Sequence, residues 1–196
     1  MILSNVEIQL ALDEGRLHIE PRPTPLRPAP GLAPCPYQTS AVDLRLGDEI
    51  VWFSDKRLSV QIDLRGGGFA ALANATTERQ ALTESQPYSL EPGRLVLART
   101  AERVALPLST EPGKTLAARV EGKSSYARCG LLVHFTAPTI HAGFDGTITL
   151  EMMNFGSYPI LLFQRMPICQ LIVEQVAGVP FRNDSQFQGQ SRPTGG

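Results

Sequence analysis

Apolar and polar residues alternate with a period of two along much of the chain. In Val42 to Phe53 (VDLRLGDEIVWF), Asp43 and Arg45 interleave with Val42, Leu44 and Leu46, and Gly47-Asp48 supplies a bend or bulge. Leu58 to Leu64, Arg94 to Thr100, Val104 to Pro107, Thr115 to Val120, Pro159 to Phe163 and Pro167 to Val173 read as further short strands, bounded by Gly and Pro turns. Leu131 to Phe135 is an apolar run of strand length, Gly143 and Gly146 punctuate a hairpin-like turn, and Thr147 to Glu151 alternates again. That last alternation puts Ile148 and Leu150 on one face, with Thr147, Thr149 and a strand-ending Glu151 on the other.

Helical spacing is firm in one place. Ser4 and Glu7 form a capping box, Val6/Leu10 and Ile8/Leu12 are i,i+4 pairs, and Gly15 is a stop, so a helix is expected from Asn5 to Glu14. Leu17-His18-Ile19 follows as a short strand. Pro21 to Pro36 holds seven prolines, which exclude helix and central strand and indicate an extended surface connector. Gly66-Gly67-Gly68 reads as a loop tip, and Ala70 to Ala81 as a weak helix or a loop. Many short strands and one helix imply a mainly β domain, a barrel or jelly roll, over 1–180. Residues 181–196 are polar and expected to form a mobile tail.

With 196 residues, the chain is long enough for one domain with a sizeable core. Its formal net charge of −1 supplies no general basic field for nucleic acid or anionic membrane, so any anion site must be local. Cys35, Cys129 and Cys169 are odd in number and without CxxC spacing, which points to reduced thiols in a cytoplasmic protein. No secretory leader pattern and no apolar run of about 18 residues is present, so neither export nor a membrane helix is expected.

The chemistry concentrates in Glu121 to Asn154, where hydroxyls, Lys123, Arg128 and Glu151 stand close in sequence and suggest a site for a polar anion. Gly122-Lys123-Ser124 resembles the end of a phosphate-binding Walker loop, but position 117 is alanine and no helix pattern follows, which excludes that motif. The H-x-E and P-C-x-x-C signature of zinc deaminases is also missing, because Phe135-Thr136 follows His134. His134, inside an apolar run, reads as a structural histidine, and Tyr126 and Cys129 as packing residues.

Five segments in order resemble the dCTP deaminase family of the dUTPase-like superfamily. They are Leu3-Ser4…Gly15-Arg16-Leu17, Ser40 to Gly47, Leu90-Glu91-Pro92-Gly93…Leu97-Ala98-Arg99-Thr100, Gly122 to Leu131 with Thr136-Ala137 and Leu150-Glu151, and Phe187-Gln188-Gly189-Gln190. The resemblance implies a distorted jelly-roll or β-barrel of the dUTPase-like type, assembled as a homotrimer with sites between subunits and the tail closing over them. It implies zinc-independent hydrolysis of dCTP to dUTP and ammonia, with Mg²⁺ carried by the triphosphate and dTTP as an inhibitor. Carried over by position, Glu151 is the acid/base, Ser124 and the Ala137 carbonyl hold water or ammonia, and Arg128 orients the water. Lys123, Ser124 and Ser125 meet the triphosphate, and Arg128, His141, Gln186, Phe187 and Gln190 complete the nucleotide contacts.

Four positions depart from the family pattern. His141 replaces an aspartate that meets the sugar hydroxyl and, in dUTPases, helps position water. Gln186 and Phe187 replace a Lys-Tyr pair, and Lys123 keeps the charge of the commoner arginine without its fork. The dUTP-releasing enzyme is therefore expected first, with a bifunctional enzyme that goes on to dUMP, or a non-catalytic nucleotide-binding trimer, as alternatives.

Overall fold

The computed structural model describes residues 1–54, 65, 69–183, 189 and 191–194. The expected Leu58–Leu64 strand and the triple glycine lie outside the described residues. The first helix, α1 (Asn5–Asp13), starts where the capping box predicts: the Ser4 hydroxyl accepts from the Glu7 amide at 3.3 Å, and Gly15 takes the left-handed conformation after the helix end. Strand β1 (His18–Glu20) follows, and the proline-rich segment contains no helix or strand before β2 (Tyr37–Gln38).

Next come β3 (Ala41–Arg45) and β4 (Glu49–Phe53), split at the bend expected from Gly47-Asp48. Ala70 to Ala81 is neither weak helix nor loop throughout. Helix α2 (Phe69–Thr76) passes directly into β5 (Thr77–Ala81), which pairs with β4, so tertiary pairing overrides the low strand propensity of TERQA. After β6 (Tyr88–Leu90), the two strands expected between Arg94 and Pro107 are one, β7 (Leu95–Ala105), with β4 and β11 as neighbours. The remainder is β8 (Leu116–Gly122), α3 (Ser124–Ala127), β9 (Leu131–Val133), β10 (Thr139–Ile140), β11 (Asp145–Asn154), β12 (Ile160–Leu162) and β13 (Pro167–Gln175).

These strands form two main sheets. One has the order β5-β4-β7-β11-β9 with β1 also on β7; the other has the order β10-β8-β13-β3-β2; β12 and β6 make a separate pair. The mainly β expectation holds, but no closed barrel occurs among the described strands. Both sheets contribute to one buried cluster, with Val42, Leu44, Val120 and Leu171 from one and Ala98, Val104, Ile148 and Leu150 from the other. Burial of that apolar surface is the main source of stability.

Polar groups also tie the sheets together. Glu102 on β7 is 1% exposed and accepts from the backbone N–H of Arg45 at 2.8 Å and from its Nε at 2.6 Å. This buried carboxylate is therefore both paired and hydrogen-bonded. In β11, a bulge between Thr147 and Thr149 frees the Ile148 amide, which donates to the Thr100 hydroxyl at 2.9 Å. The bulge interrupts the alternation, so Thr147 is buried at 9% exposure instead of sharing an open face with Thr149 and Glu151. Beyond it the register resumes and continues past Glu151 to Asn154, which places Glu151 inside the strand and not at its end.

Candidate active site

Three parts of the chain carry the candidate residues: the stretch after β8, the stretch after β9, and Glu151 within β11. The first is Lys123 to Arg128. The Lys123 carbonyl accepts from the Tyr126 and Ala127 amides at 3.0 and 2.9 Å, which turns Ser124–Ala127 into a short helix where a plain loop was expected. Ser124, Ser125 and Arg128 are exposed, and Tyr126 packs against the core. Cys129, expected to pack, is exposed instead. The Lys123 ammonium is not open to solvent in the same way: Nζ lies 2.6 Å from Oδ2 of Asp43, and its side chain is 19% exposed.

The position of this segment is fixed just after it. Gly130 has φ +93°, and its amide neighbours leave no room for a side chain: a Cβ there would lie 2.3 Å from the Gly156 nitrogen. The Phe155 amide donates to the Gly130 carbonyl at 2.7 Å, so the turn after β11 is fastened directly to the residues after Arg128. Only glycine allows both the left-handed φ and this approach.

The second segment is 134–138. Strand β9 pairs with β11 through Val133↔Met152 and ends there, and His134 just after it takes φ +53°. The His134 amide still donates to the Glu151 carbonyl at 2.8 Å. Ala137 is exposed, and the Pro138 carbonyl accepts from Val120 at 2.9 Å, which draws this segment to the β8 strand that leads into Lys123.

Glu151 is the third component. Its Oε2 lies 2.7 Å from Nδ1 of His134, a contact between a half-buried carboxylate and an imidazole that is 7% exposed, and an ion pair whenever the imidazole is protonated. Burial acts to raise the Glu151 pKa, but the His134 contact outweighs it and holds the carboxyl below the usual carboxylate range. Glu151 is thus kept as an anion in a partly dry setting. His134 is the buried histidine that its apolar run suggested, and its partner is Glu151. No sequence pattern signalled this partner; it follows from the strand register, in which residues 133 and 152 pair, so 134 and 151 fall opposite each other.

His141 is exposed just beyond β10, at the turn leading to β11. Gln186, Phe187 and Gln190 lie outside the described residues. From the same tail, the Gly189 amide donates to the Asp145 carbonyl at the start of β11 at 2.8 Å. Among the described residues, no group of three or more His, Cys, Asp or Glu side chains could hold a metal ion. No helix among them is long and apolar enough to cross a membrane.

A family model described as dCTP deaminase-like matches residues 2–176. The chain belongs to the dCTP deaminase-like family. A relative from Methanothermobacter thermautotrophicus, named "dCTP deaminase, dUMP-forming", is 36% identical over 98% of this chain and 91% of its own. One from Tropheryma whipplei with the same name is 37% identical over 99% and 91%. A "dCTP deaminase" from Natronomonas pharaonis is 34% identical over 98% and 92%. The crystal structure of 2'-deoxycytidine 5'-triphosphate deaminase from Agrobacterium tumefaciens superposes with a TM-score of 0.62 at 21% identity. The match spans 89% of this chain and 48% of that one, and shows a shared fold.

Proposed function

We propose that this protein is a dCTP deaminase that converts dCTP and water to dUTP and ammonia, with Glu151 as the proton shuttle. The observation that carries this reading is the Glu151–His134 contact. It holds the Glu151 carboxylate as an anion in a partly buried setting. Glu151 takes a proton from water as the water oxygen bonds to C4 of cytosine, and gives that proton to N3. The second water proton passes through Glu151 to the amino group, the C4–N4 bond breaks, and ammonia leaves. One carboxylate serves both transfers because it is returned to its anionic form each time.

The other groups have separate tasks. Arg128 orients the water and balances charge that develops near C4. The Ser124 hydroxyl and the Ala137 carbonyl hold the water and the departing ammonia. Lys123, Ser125 and Arg128 face the triphosphate, and the tail residues Gln186, Phe187 and Gln190 close over it. Mg²⁺, when bound with the nucleotide, would neutralise phosphate charge. The proton chemistry above asks nothing of zinc. Ser124, Ser125, Arg128 and Ala137 are exposed in the single chain. That suits a homotrimer in which a neighbouring copy completes each site, and dTTP would compete there as a similar triphosphate.

A second reading continues to dUMP and pyrophosphate. The names of the Methanothermobacter and Tropheryma relatives favour it, at identities no lower than that of the relative named simply dCTP deaminase. Against it stands His141, which can hydrogen-bond a sugar hydroxyl but brings no carboxylate to position a second water. Purified protein incubated with dCTP and Mg²⁺ separates the readings. Ammonia with accumulating dUTP supports the first, ammonia with dUMP and pyrophosphate the second, and nucleotide binding without product rules out both.

A further inference from the structure

Lys123 cannot be considered apart from Asp43. The aspartate stands on β3, in the other sheet from Glu151, and its carboxylate is a meeting point. Oδ2 accepts from Lys123 Nζ at 2.6 Å and from Gln38 Nε2 at 3.4 Å, while Oδ1 accepts from Gln170 Nε2 at 3.0 Å. Gln170 is on β13, directly paired with both Asp43 and Glu121. The Asp43 side chain is 11% exposed. Its carboxylate is therefore fixed from two sides by neighbouring strands before Lys123 reaches it.

We infer that Asp43 is a positioning residue for triphosphate recognition: it fixes the Lys123 ammonium at the mouth of the Ser124–Arg128 segment. An ammonium has three N–H donors, and Asp43 accepts from one of them at 2.6 Å, which leaves the others for phosphate oxygens. A free lysine would give up most of its rotamer freedom on meeting a phosphate; here that freedom is already spent in the unliganded chain. The device suits lysine in particular. An arginine carries its own planar fork, whereas a lysine is a point charge on a flexible stem and gains more from an external orienter. The cost is partial neutralisation of the cation, so the two effects oppose each other and the sign of the Asp43 substitution decides between them. The inference rests on the dCTP-binding reading above.

The test is a double-mutant cycle on nucleotide affinity, read by titration calorimetry with dCTP and with dCMP. Asp43→Asn keeps the shape and an acceptor for Gln170, Lys123→Ala removes the cation, and the Asp43→Asn, Lys123→Ala double variant closes the cycle with no buried charge left alone. We expect Asp43→Asn to weaken dCTP about tenfold, or about 1.4 kcal/mol, and dCMP by less than twofold. In the Lys123→Ala background, the Asp43 substitution should have no further effect, because the positioned group is gone. In turnover, the same loss should fall on KM and leave kcat within about twofold.

Tighter dCTP binding by Asp43→Asn would mean that the carboxylate only neutralises the lysine, and would overturn the inference. Equal losses for dCTP and dCMP, or full additivity in the cycle, would do the same by showing a general structural role. Wild-type protein that binds no dCTP would overturn the functional reading along with it. Normal wild-type binding with an unchanged Asp43→Asn variant would overturn this inference alone.

Discussion

His134 Nδ1 stands 2.7 Å from Glu151 Oε2, across the end of the β9–β11 pairing. The imidazole is almost fully covered and the carboxylate half covered. It sets the charge state of the one carboxylate that the proposed deamination uses. Removing the carboxylate's basicity while keeping its shape is the most direct check. Glu151→Gln is expected to cut ammonia release by about a thousandfold, inside the roughly 10²–10⁴-fold range of a positioned proton transfer. Binding of dCTP should persist, and unchanged turnover would remove Glu151 from the chemistry.

Replacing the histidine addresses the same pair from the other side. With His134→Asn, burial of Glu151 remains while the contact that lowers its pKa is lost. The acid limb of the kcat profile should therefore move to higher pH, and kcat at neutral pH should fall by about ten- to a hundredfold, within the size of one proton-transfer contribution. A lower kcat with an unmoved acid limb would assign His134 to packing alone.

The native protein has its own pH signature. Glu151 has a folded pKa below its unfolded value, so its contribution to stability is present above the ordinary carboxylate range and is lost as pH falls through the lowered folded value. Turnover should follow the same direction, with the base form retained into mildly acidic solution. Denaturation midpoints measured from neutral pH downward should show wild type losing this contribution in acid, and the difference from Glu151→Gln should shrink over the same interval.

The close approach of Gly130 to Gly156 predicts a stability effect distant from the proton chemistry. Gly130→Ala adds a Cβ 2.3 Å from the Gly156 nitrogen in a backbone with φ +93°. A loss of about 2–4 kcal/mol is expected from strain and clash combined. Thermal unfolding should report it as a fall of several degrees. An unchanged midpoint would show that the turn after β11 shifts freely, and that the Arg128 segment is not fastened by it.

His141→Asp tests the product question. If the histidine is what stops the reaction at dUTP, the aspartate variant should release pyrophosphate and dUMP where the wild type releases dUTP. No gain of pyrophosphate release in that variant would show that position 141 does not decide the product.

The sequence alone determined the local elements whose chemistry is local. The Ser4 cap, the Gly15 stop and the Pro21–Pro36 connector each depend on one residue's own hydrogen-bonding or dihedral preference, and each stands in the structure where the pattern places it. Period-two alternation likewise marked most strands, and the ordered segments around Gly122–Leu131 and Glu151 marked the family. What it left open depended on partners distant in the chain. The strand TERQA exists because β4 lies beside it, and the β11 bulge is satisfied by Thr100, 48 residues away. His134 looked like core because burial is all that an apolar run reports. Only the β9–β11 register showed that its ring faces Glu151, and only the β3–β13–β8 pairing brought Asp43 to Lys123, 80 residues apart. Side-chain electrostatics is a function of distance in space, and that distance is fixed by strand pairing, which no local pattern encodes.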